Sequence, residues 1–329
     1  MAEILRYGAY VPRYRAPLGE IQKFFGRPGR PRSKALATPS LDEDTLTMAY
    51  EAAQSALQGG ARPGTLIAVT QSPPFRLRKF AGTLARTLGL DGIAALDVAG
   101  HGGSLLDGFA LAEAIVGAGG EPALVVAADH LGSYEERVCD TLSAGAATAY
   151  LIGAEGGFAR LGARARADRE VYDVWVLGNE PEPRYRLEVL FETYGAVSRE
   201  ALAGLEAATE RATGDYAAVC ASQPHPQTLR GLGKTGVAAA QLEHTSFVGD
   251  IGNLGAASVG LALALGLDRA GAGDQLLALG YGGGEAIAQE IAVTGAPAAI
   301  DAAGQMADTE AIDLSTYYRW TRGRQAEPH

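Results

Sequence analysis

Only two cysteines, Cys139 and Cys220, occur in the 329 residues of this chain, too few and too far apart for a metal cluster or a disulfide framework. Both have apolar neighbours, which predicts buried, inert thiols. An activated thiol needs a helix N-terminus or a nearby base, and neither cysteine is followed by a glycine-rich turn. Positive charge is also short. The 28 Lys and Arg face 38 Asp and Glu, a formal charge of -10, which argues against nucleic acid as a main partner because phosphate binding needs clustered cations. No run reaches the roughly 18 apolar residues that suggest a membrane span. Met1 to Tyr10 carries Glu3 and Arg6 where a secretion signal needs an apolar core. The expectation is a cytoplasmic protein without a membrane or nucleic-acid partner.

What is plentiful is apolar content, 47% of the chain, and glycine, 44 residues. This is enough to bury a large core in one large unit or two closely packed halves. Two stretches read as copies. The first runs from Leu96 through Gly100-His101-Gly102-Gly103-Ser104 into a helix to Val116, a Gly-Ala-Gly-Gly turn and the strand Ala123 to Ala128. The second runs from Phe247 through Gly252-Asn253-Leu254-Gly255 into a helix to about Leu267, a Gly-Ala-Gly turn and the strand Gln275 to Gly280. Each predicts strand, glycine turn, buried helix, turn, apolar strand, so the fold is expected to be built by duplication.

Around these units the pattern alternates between strands and helices. Strands are expected at Tyr7 to Val11, Leu66 to Thr70, Ala146 to Ile152, Ala217 to Ala221 and Ile287 to Val293. Helices are expected from Ser40, as N-cap, to Leu57, at Ala81 to Leu88, at Ala201 to Thr213 and, with a turn, at Pro226 to Gly233. Arg160 to Glu200, with Trp175 and an Arg/Glu-rich stretch at Glu180 to Arg186, reads as an excursion between the halves. Arg27 to Pro39 reads as an exposed basic loop. The polar composition after Pro297 marks a tail or docking segment. The alternation argues a layered α/β fold with mostly buried sheets.

Several segments carry a family resemblance. Tyr7 to Arg15, Pro39 to Thr45, Gln71-Ser72-Pro73-Pro74-Phe75, Gly282-Gly283-Gly284 and Ile312 to Trp320 resemble archaeal-type hydroxymethylglutaryl-CoA synthases. Gly252-Asn253-Leu254-Gly255-Ala256-Ala257-Ser258 is similar to ketoacyl-ACP synthase III. Both belong to the thiolase superfamily. The resemblance implies an α/β, duplicated five-layer thiolase fold (α-β-α-β-α) with two similar halves. The divisions expected are 1–160 and 161–297 for the halves and 298–329 for the tail.

The resemblance also implies a chemistry that the residues alter. The family's nucleophilic cysteine falls on Gly100, or on His101 with a one-residue shift, and neither forms an acyl-thioester. The family histidine position holds Ser222, with His225 three places on. The general-base glutamate position holds Gln71, which keeps the shape and loses the charge. Asn253 matches an asparagine that holds a thioester carbonyl or enolate, and Gly283 a glycine whose N–H makes an oxyanion contact. The candidate catalytic residues are therefore His225, Asn253, His101 and Ser222, with Gly283 as oxyanion donor and Gln71 and Gly100 in substrate binding. His130 and His244 lack such context, and Asp107 is expected inside the helix after the first turn. No metal or permanently bound cofactor is expected.

What is implied is a protein that handles acyl-CoA thioesters in aldol or Claisen-type chemistry without an acyl-cysteine; the Arg27 to Lys34 loop reads either as meeting the CoA phosphates or as ordinary solvated surface. The alternative is a noncatalytic supporting subunit of an acyltransferase assembly, with Tyr317, Tyr318 and Trp320 as docking anchors. The implied partners are acyl-CoA, a second copy or a thiolase-like paralogue in a dimer, and an OB-fold zinc-ribbon protein.

Overall fold

A computed structural model describes residues 2–75, 77–132, 135–177 and 183–323, with the side chains of 322 and 323 left out. The chain begins with β1 (Glu3–Tyr10), β2 (Tyr14–Ala16), α1 (Leu18–Phe24), β3 (Leu36–Thr38) and α2 (Thr45–Ala56). It continues through β4 (Thr65–Thr70), α3 (Phe80–Thr87), β5 (Ala94–Ala99), α4 (Leu105–Gly117), β6 (Ala123–His130), α5 (Val138–Thr141) and β7 (Gly145–Gly153). Next come β8 (Ala159–Asp168), β9 (Val174–Trp175), β10 (Arg184–Tyr185), α6 (Leu187–Thr209), β11 (Ala218–Ala221), α7 (Pro226–Leu232), α8 (Ala239–Leu242) and α9 (Val248–Ile251). The last part holds α10 (Ser258–Leu267), β12 (Gln275–Gly282), β13 (Glu285–Val293), α11 (Ala302–Ala307), β14 (Glu310–Ala311) and α12 (Leu314–Gly323).

Nine strands form one sheet in the order β11-β12-β13-β8-β1-β7-β6-β4-β5. Its two sides meet at β1 and β8, where Glu3 stands in register with Arg160 and Ile4 with Ala159. Outward from that joint both sides follow one rule: first strand, last strand, next-to-last, second. This gives β1-β7-β6-β4 on one side and β8-β13-β12-β11 on the other. The directions repeat as well, antiparallel, antiparallel, then parallel. The duplication read from the glycine turns is thus present in the topology.

Alternation along the strands sorts side chains into three apolar clusters. Leu66 and Ala68 of β4 pack with Met48 and Ala52 of α2 and Leu84 of α3, whereas Ile67 and Val69 face the cluster of α4 and α10. The third cluster joins α6 to β11, β12 and β13. All ten residues of α10 are buried, as required of a helix packed on every side. The layers run α2 and α3, first strand set, α4 and α10, second strand set, α6: the expected α-β-α-β-α.

Several expectations are corrected. The second copy does not begin with a strand. Phe247 and Val248 donate both N–H groups to Gln223 Oε1, and the chain coils into α9, so β5 has no counterpart. Asp44, not Ser40, caps α2: Asp44 Oδ1 accepts from Thr47 N–H (2.8 Å) while Thr47 Oγ1 accepts from Asp44 N–H (2.7 Å), a reciprocal box that offsets two orphan donors. Helix α6 starts at Leu187 rather than Ala201, because Leu190, Tyr194, Val197, Ala201 and Leu205 recur every three or four residues and are all buried. The presumed excursion therefore contains the integral strand β8 and only a short β9–β10 hairpin; of the stretch Glu180 to Arg186, residues 180–182 lie outside the described residues. Asp107 is not a lone interior carboxylate; it pairs with Arg166.

The tail docks on its own chain. β14 pairs with β2, Tyr317 is buried in the central cluster, Trp320 stands edge-on to Tyr14 at 4.9 Å and Tyr318 contacts Phe24 and Phe25 at 6.1 Å. These aromatics fasten the tail and are not free anchors; 324–329 lie outside the described residues. Among the described residues no helix is long and apolar enough to cross a membrane.

Candidate functional site

Parallel strands present their C-terminal ends together, and there the chain leaves the sheet in loops able to meet a ligand. Gln71 follows β4, His101 follows β5, Ser222 follows β11 and Gly282 ends β12. All four line one cavity of about 360 Å³, together with Asn253 and Gly283. The β9–β10 hairpin covers the other side with Val174, Trp175 and Tyr185. A larger groove, about 650 Å³, between α2 and the tail is lined by Glu43, Glu51 and Asp308 and holds none of the expected site residues.

His101, not Gly100, faces this cavity. A Cβ on Gly100 would stand 2.6 Å from Val69 Cγ1, so a side chain there meets the core. The turn packs on the opposite half, where a Cβ on Gly103 would lie 2.9 Å from Tyr281 N; glycine lets the two backbones touch. Gly103 N–H donates to His101 Nδ1 (3.1 Å), so the ring proton sits on Nε2, which points at Glu285 Oε2 at 3.7 Å. Glu285 is held by Arg166, and Arg166 by Asp107. Burial holds His101 below the ordinary imidazole range, against the pull of Glu285 and Asp107. Its one lone pair is thus occupied by the turn it caps.

Asn253 is fixed by its backbone: its N–H donates to Leu142 O (2.7 Å) and its carbonyl accepts from Ala144 N–H (3.0 Å). Gly255 N–H donates to Asn253 Oδ1 (3.0 Å), which leaves the Nδ2 amide protons as the donors facing the cavity. Gly283 and Gly284, at φ +56° and +85°, form the two-residue turn between β12 and β13, the conformation of a type I′ hairpin. Ser222 is fully buried and Tyr281 N–H donates to its Oγ (2.8 Å). It stitches the ends of β11 and β12.

Gln71 is oriented by a residue the sequence reading missed. Asp129, at the end of β6 and fully buried, accepts from Thr70 Oγ1, Gln71 N, Ser72 N and Ser72 Oγ on one oxygen and from Gln71 Nε2 and Ala256 N on the other. Burial pushes its carboxyl up, and the bonds from Ala256, Ser72, Gln71 and Thr70 oppose that. Three of the donors are backbone N–H groups, which can only donate. The Gln71 amide must therefore turn its nitrogen to Asp129 and leave Oε1 as its free acceptor. The available signal was a carboxylate placed directly after the apolar run Ala123 to Ala128.

His225 and Gly100 are not brought to the cavity. His225 caps α7, accepting Gln227 N–H on Nδ1 (3.0 Å), with Arg32 NH1 2.8 Å from Nε2 and the Phe191 ring at 4.9 Å. Burial, then Arg32 and Arg230, lower it to about 4. Neither cysteine is among the lining residues. Both are buried, and burial raises the Cys139 thiol and pushes Cys220 up to about 12. Arg27 of the basic loop pairs with Asp140 (2.6 Å), a lining residue that also accepts from Tyr185 OH (3.2 Å). Asp173 and Tyr281, both almost fully buried, were missed as well: Tyr281 OH donates to Asp173 Oδ2 (2.6 Å) at the cavity wall.

No family model matches the chain. It is 30% identical over 303 residues to the hydroxymethylglutaryl-CoA synthase of Methanobrevibacter smithii, with 86% of each chain covered. It is 28% identical over 299 residues to that of Methanocaldococcus jannaschii, again with 86% of each covered. Among solved structures it superposes on an HMG-CoA synthase complexed with CoA at a TM-score of 0.86 and 17% identity, over 97% of this chain and 89% of that one. On the 3-oxoacyl-(acyl carrier protein) synthase III of Pseudomonas aeruginosa the TM-score is 0.80 at 20% identity, over 89% of this chain and 98% of that one. These two share its fold.

Proposed function

The chain belongs to the hydroxymethylglutaryl-CoA synthase family of the thiolase superfamily, and from that premise we propose that it makes or breaks a carbon–carbon bond in an acyl-CoA thioester without forming an acyl-cysteine. The observation that carries the reading is the composition of the cavity: His101 stands at the helix-terminal turn, Asn253 offers amide protons, and no thiol is among the lining residues. Asn253 and the Gly283 backbone would hold the thioester or enolate oxygen. Gln71 would accept a hydrogen bond from a hydroxyl group on the acyl chain. The thioester is substrate, and no resident cofactor is invoked.

The CoA moiety would enter past the 27–34 loop, which borders the cavity through the Arg27–Asp140 pair. The halves 1–160 and 161–297 would act as one unit, since His101 and Gln71 come from the first and Ser222, Asn253 and Gly283 from the second. A dimer would form along β5, an edge strand whose residues are exposed or half-buried. Leu96 on that strand, and Phe75 and Leu77 in the neighbouring loop, are exposed.

The alternative of a supporting subunit, paired with a thiolase-like paralogue or an OB-fold zinc-ribbon protein, draws on the same missing thiol. It loses the support of the tail aromatics, which pack internally. The test is mass-spectrometric turnover of acyl-CoA and 3-hydroxyacyl-CoA thioesters by the purified chain, with Asn253→Ala as control. New products lost in the variant support the enzyme; thioesters that bind yet stay intact with every partner-free preparation leave the subunit reading.

A further inference from the structure

Carbon–carbon chemistry next to a thioester carbonyl needs a group that moves a proton, and the cavity narrows the choice. Gln71 is neutral, His225 lies outside, and the His101 lone pair is taken by Gly103 N–H. Among the described residues two carboxylates line the cavity, Asp140 and Asp173. Asp140 is neutralised by Arg27 and occupied by Tyr185. Asp173 has no cation within ion-pair distance among the described residues, although it is only 2% exposed. Its Oδ2 accepts from Tyr281 OH (2.6 Å) and its Oδ1 from Val174 N–H (2.6 Å). Each oxygen keeps a second lone pair. A carboxylate that lines the cavity, held in place by two neutral donors rather than by a counter-ion, is positioned to act as a general base.

Resting on the thioester reading, we propose that Asp173 is the catalytic base of this cavity, with Tyr281 as its positioning residue. In the step, an Asp173 oxygen takes a proton from the carbon next to the thioester carbonyl. The C–H electron pair becomes the enolate double bond, and the carbonyl pair moves onto oxygen, facing the Asn253 amide protons. Return of the proton restores the thioester, so the half-reaction balances without a co-reactant. The groups around Asp173 agree with this. Tyr281 from β12 donates to it, and His101 from the turn before α4 lies near enough to feel its charge. Behind His101 stand Glu285 and Arg166. On its own segment, the Asp173 carbonyl accepts Arg186 N–H (2.7 Å) and closes the β9–β10 hairpin.

The experiment is exchange of the α-protons of propionyl-CoA and 3-hydroxybutyryl-CoA in D₂O, read as mass gain over a protein-free control, with binding of the same thioesters measured by calorimetry. Wild type is expected to catalyse exchange. Asp173→Asn should lower its kcat by about 100-fold or more with KM little changed, since general-base removal costs about 10²–10⁴-fold. Asp173→Glu should recover part of the rate, and Tyr281→Phe should shift the pH–rate profile while thermal unfolding shows each variant folded. Exchange that survives in a folded Asp173→Asn overturns the assignment. So does a wild type that binds the thioester and exchanges nothing, although thioester handling then stands. A wild type that binds neither thioester removes the functional reading itself and the base with it.

Discussion

Gln71 Nε2 donates to Asp129 Oδ2 at 3.1 Å, so the amide that occupies the expected position of a general-base carboxylate is held by another carboxylate buried behind it. This ties the first half to the second, because the same oxygen accepts Ala256 N–H (2.7 Å) from the turn before α10.

Gln71→Glu replaces that donor with an oxygen and places two carboxylates together. One must take up a proton or turn away, so stability at pH 8 should fall by about 1–3 kcal/mol, as for a broken hydrogen bond to a buried charge. A folded-state carboxyl pKa raised above its unfolded value stabilises below the unfolded value and loses that contribution as pH rises through the folded one. The deficit should therefore shrink toward pH 5. Urea unfolding of both proteins at the two pH values checks it; an equal deficit at both contradicts the pairing.

The effect of introducing a thiol should depend on which residue of the turn is changed. Gly100→Cys forces a Cβ to 2.6 Å from Val69 Cγ1 and should cost about 1–3 kcal/mol of stability as overpacking. His101→Cys puts sulfur in the cavity near the N-terminus of α4, where the helix dipole favours a thiolate. Intact-mass analysis after incubation with acetyl-CoA should show one acetyl group on His101→Cys and none on wild type.

His225 should dominate part of the acid limb of stability. Its folded pKa of about 4 lies below the unfolded value of 6.5, so the unfolded chain binds the proton first. Stability is fully present above the unfolded value and falls as pH drops from about 6.5 toward 4, by on the order of 3 kcal/mol. His225→Asn keeps a capping side chain on α7 and removes the titration. Its unfolding free energy should change less across that window, measured by denaturant melts; a slope equal to that of wild type would exclude His225 as the cause.

Leu96→Lys tests the edge of the sheet. A charge on a strand that pairs with a second copy disfavours the contact, whereas on a free edge it is tolerated. Sedimentation should show a dimer for wild type and a monomer for the variant with its thermal stability measured in parallel. A wild-type monomer would remove the dimer along β5.

Local signals were sufficient wherever one segment decided its own structure. The glycine turn and the apolar runs of α10, β4 and β6 were legible because an uninterrupted apolar stretch has to be buried on every side, whatever packs on it. The strand expected at Phe247 failed because its backbone donors are taken by Gln223, 24 residues away in the chain. The start of α6 was missed for a different reason: Arg/Glu-rich composition hid the period of Leu190, Tyr194 and Val197.

By itself the sequence determined the duplicated layered architecture, the acidic surface and which residue types stand at the glycine turns, since these follow from composition and periodicity. Only tertiary structure decided that His101 and not His225 faces the cavity, that Asp129 aims the Gln71 amide, and that Asp173 and Tyr281 meet across 108 positions of chain. Those relations depend on which strand ends the β1–β8 joint brings together and on the room each side chain has there. Spacing along a chain does not encode either.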